Sequence, residues 1–342
     1  MPTSIASGTV RMRQLAVELP SQLREGFRLG QDADARLPRE AGTAVVAGMG
    51  GSAIAADLAR GITDTETPLL LSVSRGPTLP RGAGKGSLVV LTSYSGNTWE
   101  TLAAYDAAQR QGATRVVMTS GGALAERAEQ DGVPHLVLPP GLPPRSAVGY
   151  MVGGLLGLLD GYFPESNETR VDRISARLSE RQSEYGSPRG RPARLAKRIG
   201  SRSPQFYGNA LFVPLARRWK TQVEENAKRL AHFDEFPELL HNALVAWDAM
   251  SRAEARRWAV VALEGPGLHP NTATGMAHLR RVLARRGVVA ERLVFDADDR
   301  LEALLDGVTF GDHFSLFLAA AGPVDPLEVD AIVRLKASVA RR

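Results

Sequence analysis

At 342 residues the chain is too long for one ordinary core and is expected to hold two domains, and 44% hydrophobic with 23% charged residues describes a soluble globular protein. It has no cysteine, which excludes disulfides, thiolate metal sites and a cysteine nucleophile. The net charge of +5 is spread along the chain, and with only 6% aromatic residues the short basic clusters at 189–202, 252–257 and 280–286 read as solvated surface, not as a nucleic-acid patch.

The N-terminal MPTSIASGTVRMRQL lacks the apolar stretch of a signal peptide, and a cytoplasmic protein is expected. Residues 9–31 carry helical spacing. Alternating units follow: the strand TAVVAGM, a helix from Ser52 to about Arg60, the strands LLLSVS and SLVVLTSYS, the helix TWETLAAYDAAQRQG, the strand TRVVMTS, the helix ALAERAEQDG and the strand PHLVLP. Short apolar runs alternating with amphipathic helices predict a doubly wound parallel sheet. Residues 144–163 read as one apolar helix. The longest apolar run, around 148–159, is broken by glycine and falls short of the roughly 20 residues that span a bilayer.

The polar, arginine-rich stretch 164–203 is expected to be a linker with a surface helix. A second α/β pattern then runs through PQFYGNALFVPLA, the helix RRWKTQVEENAKRLA, HNALVAW, WAVVALEG, the helix MAHLRRVLARRG and VVAERLVF, the runs between helices reading as strands. The helical stretch DRLEALLDGVTFGDHFSLFLAAA and a final helix LEVDAIVRLKASVA complete the chain. The expected organisation is an α/β fold of two doubly wound parallel-sheet domains, residues 1–163 and 204–342, with 164–203 between them.

Two turns, GMGGSAIAAD and SYSGNTWET, stand directly after apolar strands, where open α/β sheets bind ligands. Such turns present backbone N–H groups and hydroxyls, and a helix opening there adds its positive dipole end, so together they suit an anion. Gly48, Gly50 and Ala53 fit a dinucleotide fingerprint, but the next strand ends in Ser74-Arg75-Gly76, without the acid that holds a ribose; Arg75 would suit a 2′-phosphate at best. Ser93, Ser95 and Thr98, with Gly96 between them, place three hydroxyls in six residues. Asn97 and Thr98 are also N-cap residue types for the following helix. With Gly50, Gly51 and Ser52 across the crevice, the set suits one compact phosphate better than an extended dinucleotide.

S-Y-S-G-N-T after an apolar strand, with G-M-G-G-S upstream, resembles the sugar isomerase (SIS) domain, and nearly the whole chain is similar to the bifunctional phosphoglucose/phosphomannose isomerase family. Read from its residues alone, RWKTQVEENAKR is an amphipathic surface helix. Trp219, Gln222, Val223 and Asn226 share a face, Glu225 is close by, and Glu224 and Lys228 are four apart as a solvated ion pair. His241-Asn242, sixteen residues past Glu225, would on that reading be structural or exposed. The resemblance gives these residues other roles. The family's E-N-x-K is Glu225-Asn226-Ala227-Lys228, its H-N pair is His241-Asn242, its P-R is Pro144-Arg145, and its lysine in an I-x-x-L-K helix is Lys336. The chain has five lysines against 37 arginines, so a lysine at a motif position carries some weight.

The resemblance implies aldose–ketose isomerisation of glucose 6-phosphate or mannose 6-phosphate to fructose 6-phosphate through an enediolate. Glu225 would be the base, Arg145 the enediolate stabiliser, and His241 and Lys336 the ring-opening pair. It further implies a homodimer with His241 donated across the interface, and no cofactor or metal. Three departures bear on affinity, specificity and activity: Ala53 for the family's glycine, Ala243 for the glutamate after H-N, and no counterpart in GPVDPLEV to a threonine that faces the sugar. The other readings are a non-catalytic phosphosugar-binding protein, an isomerase for another phosphosugar, and, more distantly, an NADP enzyme built on residues 48–53. Regulators of the non-catalytic kind usually carry an N-terminal helix-turn-helix, for which the first 30 residues are too short.

Overall fold

The structure is a computed structural model and describes residues 5–33, 37 and 42–339. Packing divides the chain into two units. The first comprises Glu18–Arg181 and Ala297–Leu305, and the second Met1–Val17, Gln182–Asp296 and Asp306–Arg342.

The first unit holds a five-stranded, wholly parallel sheet of order β2-β1-β3-β4-β5, from β1 (Thr43–Gly48), β2 (Leu70–Ser74), β3 (Leu88–Thr92), β4 (Thr114–Thr119) and β5 (His135–Val137). The central strand β3 is buried along its full length and β1 from Ala44 onward, as apolar runs without alternation require in a sheet covered on both faces. The helices are α2 (Leu19–Gln31), α3 (Gly50–Glu66), α4 (Trp99–Gln111), α5 (Gly122–Asp131) and α6 (Val148–Leu158), with α1 (Ile5–Val17) belonging to the second unit.

Two expected helices are subdivided. The 9–31 helix is α1 and α2, parted at Glu18 because Pro20, in the first turn of α2, has no N–H for a continuing ladder. Residues 144–163 form a 3₁₀ turn (Pro144–Ser146), α6, and a second 3₁₀ turn (Asp160–Tyr162), where the Asp160 carboxylate accepts from Asn167 N at 2.8 Å and Ser166 Oγ at 2.7 Å. The glycines that break this apolar run are contact points with α2. A Cβ at Gly153 would lie 2.2 Å from Leu23 O, and one at Gly26 would lie 2.4 Å from Tyr150 O. Among the described residues no helix is long and apolar enough to cross a membrane.

In place of a single surface helix, 164–203 holds α7 (Glu168–Tyr185) and α8 (Arg191–Ile199), separated by a turn closed by Gly190 N to Ser187 O. The second sheet repeats the winding with one strand fewer: order β7-β6-β8-β9, all parallel, from β6 (Ser203–Gly208), β7 (His232–Glu235), β8 (Trp258–Glu264) and β9 (Val289–Val294). Its helices are α9 (Val213–Ala227), α10 (Ala243–Ala249), α11 (Arg252–Ala255), α12 (Pro270–Arg286), the distal part of α13 (Arg300–Ala320) and α14 (Asp330–Val339).

Three assignments differ from the sequence reading. The strand expected over PQFYGNALFVPLA stops at Gly208, and α9 begins at Val213, with Pro214 tolerated in its first turn. HNALVAW is helical, since Asn242 caps α10 through its side chain. The edge strand HFDE was not anticipated, because neither of its faces is apolar. The core of this unit is built on Trp219, which stacks on Phe310 and Phe314 and meets Phe206 edge-on.

Candidate active site

In the first sheet β1 lies between β2 and β3, and the chain leaves β1 and β3 toward opposite sides of this switch point. Gly48 and Thr92 are register partners at the ends of these strands, and a Cβ at Gly48 would fall 2.6 Å from Thr92 O and 3.2 Å from Ser52 Cβ. The two turns therefore share one crevice.

After Gly48 the chain enters α3 at once. Gly50 adopts φ +52°, Met49 supplies no capping side chain, and the first bonds are Ser52 N and Ala53 N to Met49 O, at 3.1 and 3.4 Å. The amides of Gly50 and Gly51 precede that ladder, at the positive end of a 17-residue helix. Ser52 is buried, its hydroxyl 3.4 Å from Met151 Sδ. A Cβ at Gly51 would lie 3.1 Å from Pro144 O, so the turn bearing the buried Arg145 rests against this glycine.

The second turn is closed by Gly96, with φ +67°, where a Cβ would come 1.7 Å from Gly121 O. The expected capping role passes elsewhere. Asn97 Oδ1 accepts from Ala123 N of α5 at 3.1 Å, and Thr98 occupies the N-cap position of α4 without a side-chain cap bond. The Thr98 hydroxyl instead lies 2.9 Å from Ser93 Oγ, while Ser95 Oγ accepts from Asn97 N at 3.4 Å. Arg75 is committed to the Asp57 carboxylate of α3 and to Ala53 O. That commitment engages the cation that would have suited a 2′-phosphate.

The remaining candidates belong to the second unit. Glu225 is half-buried near the end of α9. The expected Glu224–Lys228 pair does not form. Lys228 leaves the helix with φ +55° and donates to Glu225 O at 2.5 Å and Glu328 O at 2.7 Å, while Glu224 pairs with Lys220 at 2.8 Å. Through Lys228 the end of α9 is tied to the segment that leads into α14, where Lys336 is exposed. His241 ends the 3₁₀ turn Glu238–His241 and is exposed; Asn242 Oδ1 accepts from Ala243 N at 2.5 Å. Arg145 lies in the other unit. Among the described residues no group of three or more His, Asp or Glu could hold a metal ion.

Sequence reasoning missed the buried polar partners of α9. Arg218 donates to both Asp312 oxygens at 2.7 and 2.8 Å, Gln222 Nε2 to Asp312 Oδ1 at 2.6 Å, and Asn226 Nδ2 to Ser315 Oγ at 2.8 Å. The signal was the recurrence of polar residues every four positions within an apolar face. Next to this set His313 is buried against Gln182 Oε1 at 2.7 Å, and desolvation lowers its pKa to about 4.

Residues 190–339 match the family described as bacterial phospho-glucose isomerase C-terminal SIS domain. The bifunctional phosphoglucose/phosphomannose isomerase of Caldicellulosiruptor bescii is 31% identical over 340 residues, covering 96% of this chain and 99% of that protein. The D-glucosamine-6-phosphate 4-epimerase of Sulfolobus acidocaldarius is 38% identical over 157 residues, 46% of this chain and 49% of its own length. The structure of tagatose-6-phosphate ketose/aldose isomerase from Escherichia coli superposes with a TM-score of 0.62 at 17% identity, covering 96% of this chain and 98% of that one, which shows the SIS fold.

Proposed function

The chain belongs to the bifunctional phosphoglucose/phosphomannose isomerase family, and from that premise we propose that it interconverts glucose 6-phosphate or mannose 6-phosphate with fructose 6-phosphate through an enediolate. The observation that carries the reading is the shared crevice of the first sheet, where two glycine–hydroxyl turns and the Arg145 turn converge in a chain matched over 96% of its length by such an isomerase.

In this reading the amides of Gly50 and Gly51 and the hydroxyls of Ser52, Ser93, Ser95 and Thr98 hold the phosphate. His241 and Lys336 share the protons of ring opening, at the ring oxygen and the anomeric hydroxyl. Glu225 moves one proton between C2 and C1, and the Arg145 guanidinium balances the charge that develops on the enediolate oxygens. The exposure of His241 in the single chain supports its donation to the site of a second copy, so the active form in this reading is a homodimer. No cofactor or metal takes part.

A coupled assay of fructose 6-phosphate conversion tests this. Glu225→Gln is expected to lower kcat by about 10³-fold while KM changes little, in the range for loss of a general base. Parent-like turnover in that variant would remove Glu225 from the mechanism. A second reading, an isomerase for another phosphosugar, is favoured by the 38% identity to an amino-sugar phosphate epimerase over about half the chain and by Ala243 in place of a carboxylate. A panel of hexose, pentose and amino-sugar phosphates decides between them.

A further inference from the structure

The helix that carries Glu225 is held in one register by contacts of two kinds. Gly307 and Gly311 of α13 let α9 approach closely: a Cβ at Gly307 would lie 2.3 Å from Leu215 Cδ2, and one at Gly311 would lie 2.1 Å from Trp219 Nε1. Trp219 Nε1 also donates to Gly307 O at 2.9 Å. Apart from that one bond, apolar surfaces on glycine are smooth and specify sliding and rotation poorly. Beyond them, and on the same side of α9, Arg218, Gln222 and Asn226 recur every four residues, reaching Asp312 and Ser315 of α13. All five are at least nine-tenths buried, with Ser315 fully so.

We propose that this ladder of Arg218, Gln222 and Asn226 against Asp312 and Ser315 is a positioning device for Glu225. A buried ion pair is weak evidence for stability, but a ladder of buried polar partners is met in only one register. Slipping α9 by a single residue would carry Glu225 1.5 Å along the helix and about 100° around it, while leaving Asp312 without donors. Glu225 is the immediate neighbour of Asn226 and lies one turn beyond Gln222, so the ladder fixes its direction without touching substrate. The inference rests on the reading of Glu225 as the base.

The test compares the apolar pair Asn226→Leu with Ser315→Ala, and separately Gln222→Met, each made in the parent and in the Glu225→Gln background. Near-parental thermal unfolding with kcat lowered on the order of 100-fold and KM little changed is expected in the parent background, as misplacement by about 1 Å can cost that much. In the Glu225→Gln background the same changes are expected to leave the residual kcat unaltered, a coupling that a purely structural role would not produce. Folded ladder variants with parental kcat overturn the proposal and leave Glu225 as base untouched. An equal loss in both backgrounds also overturns it, and an active Glu225→Gln removes the base and the ladder's role together. Should the double replacement not fold, Gln222→Met, which removes one donor and keeps the chain length, carries the comparison.

Discussion

The two sheets share one winding, yet their switch points are filled in opposite ways. In the first, β1 ends at Gly48 and β3 at Thr92, just before Ser93, and the crevice between the two turns is lined by amides and hydroxyls. In the second, β6 runs into Asn209, whose carbonyl accepts from Phe212 N at 2.6 Å and Val213 N at 2.9 Å, and the Phe212 ring turns into the crevice. There a Cβ at Gly265, just past β8, would lie 2.1 Å from Phe212 Cε2, and the ring stacks on Phe295 with centroids 6.0 Å apart. The first switch point thus keeps a polar space at a helix start, and the second is packed as core. A repeated fold does not repeat a site. The second unit offers its candidate chemistry from the far end of α9, twelve residues beyond its packed start at Val213 and next to the ladder on α13.

The sharpest way to break this contrast is Phe212→Ala. If the second switch point is core, removing a fully buried ring should cost about 3–5 kcal/mol of stability, read by chemical or thermal unfolding, with KM for fructose 6-phosphate unchanged in the folded fraction. A KM effect without a stability effect would mark that crevice as a ligand site as well.

Acid provides a second, somewhat smaller test. The folded pKa of His313, about 4, lies below the ordinary 6.5, so the native protein favours the neutral ring and protonation favours unfolding. Its contribution is complete above pH 6.5 and is lost as pH falls through the window down to about 4. Between pH 7 and pH 5 the expected loss is about 2 kcal/mol, and a His313→Gln variant should lack that part of the pH dependence. Equal acid sensitivity in the variant would show that the titration lies elsewhere.

What was legible in the sequence follows the range of the interactions. Gly50–Ser52 and Ser93–Thr98 could be read because glycine and hydroxyl residues at a strand end act through backbone groups only a few positions away. The doubly wound order was readable from apolar runs that do not alternate. HNALVAW is a helix and not a strand, and reads either way in the sequence because a short apolar run is ambiguous and Asn242, a helix cap in the structure, equally fits a motif pair with His241. The Glu224–Lys228 pair failed because spacing along a helix presumes the helix continues, and Lys228 is where it ends. The ladder was invisible for a different reason: Arg218 and Asp312 are 94 positions apart, Asn226 and Ser315 89, and one sequence does not say which of two helices pairs with which.

The last test probes the polar side of the contrast. Ser93 and Thr98 are paired hydroxyls in the crevice, and a phosphate would take hydrogen bonds from both. Ser93→Ala removes one donor to a charged group, worth about 1.5–3 kcal/mol, so KM for fructose 6-phosphate should rise roughly tenfold or more. Since the phosphate does not react, kcat should change little, the mark of binding shared by ground and transition states. Stability should hardly move, because Thr98 keeps its place at the start of α4 without a cap bond to lose. An unchanged KM in Ser93→Ala and in Thr98→Val would mean the hydroxyls only satisfy each other. The first switch point would then differ from the second in its residues but not in its use.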